Sequence, residues 1–178
     1  MKVLIGILFL SFFCLKVNCQ SVKIFSEENI SITRYSTFRV DKGEVVTHAD
    51  QNFDEDLFFG MIKGAITEEL RKKGYLPIQD SSANLIISYI GQMTVIRDVE
   101  DLGPLGKQPA DKAIEMDRDQ QWSREYQEST LVIEATDPLL KKVVWRATST
   151  LDQGSLMNEQ ALNMMVLRSF RKFKKQKK

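Results

Sequence analysis

The chain has 178 residues, with 25 Lys and Arg against 24 Asp and Glu, so its net charge is close to zero. Both of its cysteines, Cys14 and Cys19, fall within the first twenty residues, and the rest contains a single histidine, His48. This composition excludes a body stapled by disulfides and a typical zinc site built from Cys and His side chains.

The first 19 residues predict a secretory leader. Lys2 precedes an apolar run from Val3 to Leu15, and small or polar residues follow that run. The run has thirteen residues, whereas spanning a bilayer takes about 20. We expect cleavage before Gln20, and the residues flanking Cys19 favour this over the alternative, a lipid on Cys19 or on Cys14.

The charge is distributed unevenly along the chain. Residues 20–167, predicted to form a single domain, hold sixteen basic and all 24 acidic residues, a net charge of −8. Residues 168–178 carry a charge of +7 and are expected to form a solvated, frayed tail. The alternative is that this tail contacts an anionic surface, aided by Phe170 and Phe173. Its basic residues are Arg168, Arg171, Lys172, Lys174, Lys175, Lys177 and Lys178.

The first predicted elements are strands. Residues 20–29 predict a short lead-in strand or arm, and Ile30–Val40 is rich in β-branched and aromatic residues, as strands are. Residues 41–53 are polar and include Gly43, which predicts a loop.

The clearest helix spans residues 54–73. Asp54 is placed to cap its first amides, apolar residues recur at spacings of three and four, and Gly74 is placed to end it. Gly60 and Gly64 lie four residues apart within the helix. We expect them to allow close packing of the helix on a sheet, and a dimer interface is the alternative.

The second half predicts three strands and a helix. Residues 83–97 predict a central strand, and residues 122–136 and 143–151 a hairpin turning at Asp137. The irregular residues 98–121 predict a long hairpin excursion or a mobile loop. Asn158 is placed to cap a final helix with an apolar stripe. We therefore predict an α+β domain, with an antiparallel sheet of four to five strands and two helices packed on one face.

Four short signatures carry a resemblance to a known family. They are Tyr35 to Phe38, the helix end Leu70 to Tyr75, the strand Ala83 to Tyr89, and the hairpin Leu131 to Ala147. By their order and spacing the chain resembles domain-of-unknown-function family 4136, a group of exported bacterial proteins of which many are predicted lipoproteins. Asn84 and Ala147 depart from the family pattern, which often has Asp and Gly there.

The resemblance implies an α+β fold and a location in the cell envelope, in the periplasm or at the outer membrane. It implies no activity. We therefore expect a non-catalytic binding or assembly module whose partner is an unidentified envelope protein or small ligand. The alternatives are a small-ligand or lipid binder at the membrane surface and, less favoured, a hydrolase using paired carboxylates. Nucleic acid is not an expected partner of an exported acidic body.

No residue is assigned to catalysis, to a cofactor or to a metal. His48, beside Asp50, is interpreted as a surface loop residue because no second ligand accompanies it. The carboxylates of residues 98–119 lack the spacing of a calcium loop and predict a solvated acidic segment. Trp145 is expected in the core, and Arg146 is expected to face solvent or pair with an acid.

Overall fold

The computed structural model describes residues 20–47, 53–101, 121–152 and 156–176, with only the backbone described at Gln20 and in 97–101 and 121–125. Two helices and a mixed seven-stranded sheet make an α+β domain. The strands are β1 (Gln20–Ser26), β2 (Thr37–Val40), β3 (Glu44–Thr47), β4 (Leu76–Pro77), β5 (Ile86–Asp101), β6 (Gln121–Asp137) and β7 (Lys142–Asp152). The helices are α1 (Glu55–Lys72) and α2 (Glu159–Phe170).

The prediction of an antiparallel sheet of four to five strands was wrong in both size and direction. The strand order is β1-β7-β6-β5-β2-β4, and β3 also pairs with β5. The β1, β7, β6 and β5 ladders are antiparallel, whereas β2, β3 and β4 pair in parallel. The parallel strands arise because α1 carries the chain back to the starting end of the sheet before β5, as parallel neighbours require.

The predicted strand over Ile30–Val40 is only partly formed. Ile32–Arg34 makes a short 3-10 turn, and the strand proper begins at Thr37. Conversely, residues 44–47, expected in a loop, form β3. Strand β2 pairs with β5 at Ile86 and Ile87, and β3 pairs with it from Ile90 to Met93, so together they line one edge of β5.

Gly43 allows the chain to pass β5 closely between these two short strands. A Cβ atom at this position would lie 1.9 Å from the carbonyl oxygen of Tyr89. Only glycine fits so near another backbone. The close approach of the chain to β5 between β2 and β3 therefore requires glycine at position 43.

Both predicted helices are confirmed, together with their caps. The Asp54 carboxylate accepts hydrogen bonds from the amides of Asp56 and Leu57 at 3.1 and 2.9 Å. Gly74 has a φ of 92°, the left-handed conformation that favours glycine at a helix end. The Asn158 side chain accepts from the Ala161 amide at 3.0 Å and starts α2.

One hydrophobic core lies between the helices and one face of the sheet. Alternate residues of the central strands are buried, among them Ile87 of β5, Ile133 of β6 and Ala147 of β7. They belong to the same cluster as Ile62 of α1 and Val166 of α2. Residues between them are half-buried or exposed, as for Ile90, because both described helices lie on the other face. The prediction that both helices pack on one face is confirmed.

Gly60 and Gly64 do not pack against the sheet, so that interpretation was wrong. Both are exposed, and a Cβ atom at either position would meet nothing within 4 Å apart from its own helix and chain neighbours. The buried stripe of α1 instead consists of Phe58, Ile62, Ala65, Ile66 and Leu70. The two glycines lie on the outer surface of the helix.

Replacing these glycines by alanine is expected to stabilise the domain. Each of G60A and G64A adds a methyl group in open space and restricts the unfolded chain, so each should raise the free energy of unfolding by about 0.5–1 kcal/mol. Urea denaturation of the single and double variants measures this. G43A is the contrasting variant, because its methyl group meets the Tyr89 carbonyl, and it should cost about 1–3 kcal/mol. Destabilisation by G60A would contradict the open environment of that glycine.

A buried side-chain pair joins the segment just before β2 to the β6–β7 turn. The Tyr35 hydroxyl donates to Asp137 Oδ2 at 2.8 Å, and both residues are buried. The other carboxylate oxygen accepts from the amides of Leu139 and Leu140 at 2.8 and 3.0 Å. Burial raises the pKa of Asp137, but these amides and the Tyr35 hydroxyl outweigh burial and leave its pKa below the ordinary value. The pair therefore closes the hairpin with an ionised carboxylate.

Candidate functional site

The C-terminal segment is anchored by its aromatic side chains. The Phe170 ring stacks on Trp145 with centroids 5.2 Å apart, and the Phe173 ring meets the same indole edge-on at 4.9 Å. Phe173 also contacts the ring of Tyr75 at 5.3 Å. All four side chains are buried. Neither phenylalanine is therefore available to a membrane, although both were considered for that role.

Hydrogen bonds from one backbone amide and one side-chain hydroxyl hold the residues that follow Phe173. The Gln176 amide donates to the Lys73 carbonyl at 2.9 Å, and the Tyr75 hydroxyl lies 3.0 Å from the Lys174 carbonyl. We expected a domain boundary at residue 167 and a frayed tail beyond it. Instead α2 runs to Phe170, and the packed chain continues at least to Phe173.

This packing gathers positive charge at one end of the molecule. The carbonyl end of α1 and the C-terminal segment meet through Lys73 and Gln176. We call the resulting surface the basic pole. It comprises Lys72, Lys73, Arg168, Arg171, Lys172, Lys174 and Lys175. Lys177 and Lys178 lie outside the described residues.

The electrostatics of the basic pole differ from residue to residue. Burial lowers the pKa of Lys73, and the nearby charge of Lys175 lowers it further against the opposing effect of Glu69. Lys72 is paired with Glu68 and Glu69 at 2.7 and 2.9 Å, which raises its pKa. Within the described part of the chain, none of the other cations of the basic pole forms an ion pair.

Part of the basic pole borders a groove at the edge of the sheet. The groove has a volume of about 290 Å³ and lies between α2 and β1. Its apolar wall is made by Val22 and Ile24, which are half-buried on β1. Its basic wall is made by Arg168, Arg171 and Lys172. We call it the edge groove; its guanidinium and ammonium groups are the donors that bind phosphate and carboxylate groups.

The edge groove opens on the strand that starts at the predicted processing site. Strand β1 begins at Gln20, and Val22 follows two residues later, about 7 Å along the strand. Cys19 itself lies outside the described residues. The strand pairs with β7 from Gln20 opposite Leu151 to Ser26 opposite Trp145. The two predicted candidate regions therefore meet at one edge of the sheet.

Among the residues that the structure describes, those considered for chemistry apart from the basic pole do not form a second site. Trp145 is buried and Arg146 pairs with Glu134 at 2.6 Å, so both interpretations are confirmed. His48 and Asp50, and the side chains of the acidic 98–119 segment, lie outside what the structure describes. In the described ranges no three His, Cys, Asp or Glu side chains are grouped as a metal site would need. No described helix has the length and apolarity to cross a bilayer.

Sequence reasoning identified the cations of the edge groove but not its apolar wall. Residues 20–29 were expected to form a lead-in strand or arm, and nothing in their sequence indicates what that strand pairs with. Val22 and Ile24 alternate with the exposed Ser21 and Lys23. That alternation is the signal that one face of β1 is covered.

The fold and the groove define a class of protein: a two-layer α+β domain with a cationic groove where its second helix meets an edge strand. The chain belongs to the family described as "Domain of unknown function (DUF4136)", whose model matches residues 23–173. The matched range includes Phe173 and so agrees with a folded unit that extends beyond residue 167.

Two of the solved structures that the chain resembles come from Paraburkholderia phytofirmans and Parabacteroides distasonis. The PelC dodecamer from Paraburkholderia phytofirmans is 14% identical with a TM-score of 0.46, covering 85% of this chain and 94% of that chain. A PDZ domain protein from Parabacteroides distasonis is 13% identical with a TM-score of 0.47, covering 85% of this chain and 35% of that chain. The chain thus spans about a third of the PDZ domain protein. No curated protein matches the sequence.

Proposed function

We propose that this chain is an exported envelope protein that acts by binding, and that its basic pole and edge groove dock on an anionic membrane surface. The observation that carries the proposal is the edge groove, where Arg168, Arg171 and Lys172 face an apolar wall. Cations beside apolar side chains suit a phosphate headgroup together with the upper part of its acyl chains.

Charge separation supports this assignment. The basic residues of the C-terminal segment contrast with the surplus of acidic residues in 20–167. An anionic surface therefore attracts one end of the molecule and repels much of the rest, which sets an orientation. Each basic residue near such a surface contributes about 1 kcal/mol of attraction. Orientation by charge needs no insertion of Phe170 or Phe173, which are committed to the core.

The proposed location rests on the leader. Cleavage before Gln20 would leave the basic pole as the main membrane contact, whereas a lipid on Cys19 would tether β1 and the edge groove beside the bilayer. The intact mass of the mature protein from cells distinguishes the two, because a lipid-modified Cys19 adds the mass of its acyl chains. A mature protein that retains residues 1–18 would contradict export by this leader.

Binding to vesicles tests the membrane role. Wild-type protein is expected to bind vesicles containing phosphatidylglycerol and to ignore pure phosphatidylcholine. The variant R171Q/K172Q removes two exposed cations, so its affinity should fall about 30-fold. Co-sedimentation at low and high salt measures the difference, which should shrink as salt screens the attraction.

A control with matched charge separates the site from net charge. K42Q/R146Q removes two exposed cations outside the basic pole, one near the start of α1 and one on β7. It should retain binding within about threefold, because distant charges are screened at physiological salt. Equal losses of vesicle affinity in the two variants would show that net charge causes the effect and would contradict the proposal.

The edge groove also supports a second candidate function, the binding of one lipid or small anionic ligand from solution. Its volume of about 290 Å³ is at the small end for a ligand pocket. A soluble short-chain phosphatidylglycerol below its micelle concentration provides the probe. Saturable binding of this probe that R171Q/K172Q abolishes, without any binding to vesicles, would favour this function over membrane docking.

A further inference from the structure

A second basic groove lies at the other side of the helix layer, between α1 and the strands β2 and β4. It has a volume of about 260 Å³ and shares no lining residue with the edge groove. Three cations from two elements surround it: Arg39 on β2, and Lys63 and Arg71 on α1. We call it the α1 groove.

Arg39 is held rigidly at one wall. Its guanidinium donates to both carboxylate oxygens of Asp41, at 2.6 and 2.9 Å, and to the Asp80 carbonyl at 3.2 Å. These three bonds leave two of its five N–H groups for another acceptor. Because Asp41 neutralises the charge of Arg39, Arg39 would orient a bound ligand by hydrogen bonds more than it would attract it by charge.

Lys63 and Arg71 supply the uncompensated charge. They stand eight residues apart on α1, about 12 Å along the helix, and Thr67 lies between them on the same stripe. Neither residue has an ion-pair partner among the described residues. The Lys63 ammonium lies over the face of the Phe59 ring, 5.4 Å from its centroid. Two long, flexible cations beside a groove are suited to converge on one acid group.

The rest of the lining suits a small body attached to that acid group. Phe38 is fully buried below the groove, and the half-buried Pro77 offers an apolar surface. The Thr67 hydroxyl and the Gln79 amide provide groups that both donate and accept hydrogen bonds. A ligand that fits has a carboxylate or phosphate at one end and a compact body with hydroxyl groups and one apolar face.

We propose that the α1 groove binds an organic anion the size of a monosaccharide, through Lys63 and Arg71 at the acid group and Arg39, Thr67 and Gln79 at the body. The groove volume of about 260 Å³ limits the size of the ligand, because small-molecule sites have volumes from about 300 Å³ upwards. This inference goes beyond membrane docking and does not rest on it. The vesicle variant R171Q/K172Q leaves the α1 groove unchanged.

Titration followed by two-dimensional NMR tests the proposal, using glucuronate, glucose 6-phosphate and glucose as probes. One or both of the acids should cause saturable shifts in the amides of residues 38–40, 63–71 and 78–79. Glucose should cause none. The tighter of the two acids identifies the preferred group as carboxylate or phosphate. Loss of one charged hydrogen-bond donor in K63Q should weaken binding about tenfold.

K42Q is the matched control, because it removes an exposed lysine that lies outside the groove and pairs with Asp56 at the start of α1. It should bind the acids within about twofold of wild type. R71Q tests the second cation and should also weaken binding about tenfold. The proposal fails if glucose binds as well as the acids or if no shifts saturate in these segments. It also fails if K63Q and K42Q lose the same amount of affinity for the acids.

Discussion

Removal of residues 168–178 is expected to unfold the domain. The deletion takes away Phe170 and Phe173, which are both buried and both in contact with Trp145. Removing one buried phenylalanine ring costs about 3–5 kcal/mol, so the pair is worth about 6 kcal/mol or more. Domains of this size are stable by about 5–15 kcal/mol in total. Circular dichroism and urea denaturation should reveal a chain that is largely unfolded or close to it.

A charge variant that keeps both rings is the control for this truncation. R171Q/K172Q/K174Q/K175Q changes four exposed side chains and leaves the aromatic cluster intact. Its free energy of unfolding should stay within about 1 kcal/mol of wild type, because isolated surface charges contribute little. A truncated chain with wild-type stability would show that the aromatic cluster is not needed for folding.

The truncation therefore cannot test membrane binding by itself. A truncated protein that fails to bind vesicles would fail because its core is lost, whatever the role of its charges. The glutamine variants separate the two causes, since they remove charge from the same segment without removing buried area. Any loss of binding in them belongs to the basic pole.

Replacement of Asp137 by alanine is expected to cost about 3 kcal/mol of unfolding free energy. The carboxylate accepts from the Tyr35 hydroxyl and from two turn amides, and its removal leaves the buried hydroxyl without its acceptor. Y35F removes one of those bonds and should cost about 1.5 kcal/mol. D152A, at the far end of β7, should stay within about 0.5 kcal/mol of wild type. A D137A loss no larger than that of D152A would contradict the structural role.

The same pair predicts a response to acid. Because the pKa of Asp137 is lowered in the folded protein, its contribution is complete above the ordinary value of 3.8 and is lost as pH falls through the lower, folded-state pKa. Wild-type protein should therefore lose stability below about pH 4. D137A should lose less over the same range, since it lacks this carboxyl. Urea denaturation from pH 2 to pH 7 compares the two slopes.

At alkaline pH, Tyr35 contributes to the pH dependence of the free energy of unfolding. Burial, together with the hydrogen bond to Asp137, raises the pKa of Tyr35 to about 12. Its contribution is complete below the ordinary value of 10.0 and declines as pH rises towards the folded-state pKa. Y35F should remove that part of the decline. Some decline should persist, because burial also raises the pKa values of Tyr75 and Tyr89.

Local signals in the sequence predicted the elements whose formation depends on neighbouring residues. Asp54 and Gly74 bound α1, Asn158 starts α2, and the alternation around Asp137 marks the hairpin. Capping, turn formation and alternation all act over a few residues, so they are readable without the fold. The cations of the edge groove could be identified for the same reason, from their concentration after residue 167.

The pairing of short strands could not be read in this way. Nothing in residues 44–47 or 76–77 indicates that they join a sheet, because their partners lie 46 residues away on β5 and 39 residues away on β2. Short segments gain stability only once a longer strand or a neighbouring strand is already in place. The position of Gly60 and Gly64 on the open side of α1 depends likewise on how the helix rotates to bury Phe58 and Ile62.

The sequence by itself determined the two helices, the hairpin and the basic character of the last eleven residues, and the leader stays a prediction. Only the tertiary structure decided that those residues are part of the core, because a cation-rich segment looks solvated until Trp145 and Tyr75 are brought against its two phenylalanines. Burial of those rings turns a charged tail into one wall of a groove. The positive charge of residues 168–178 follows from their composition, whereas their position beside the apolar wall of the edge groove follows from packing.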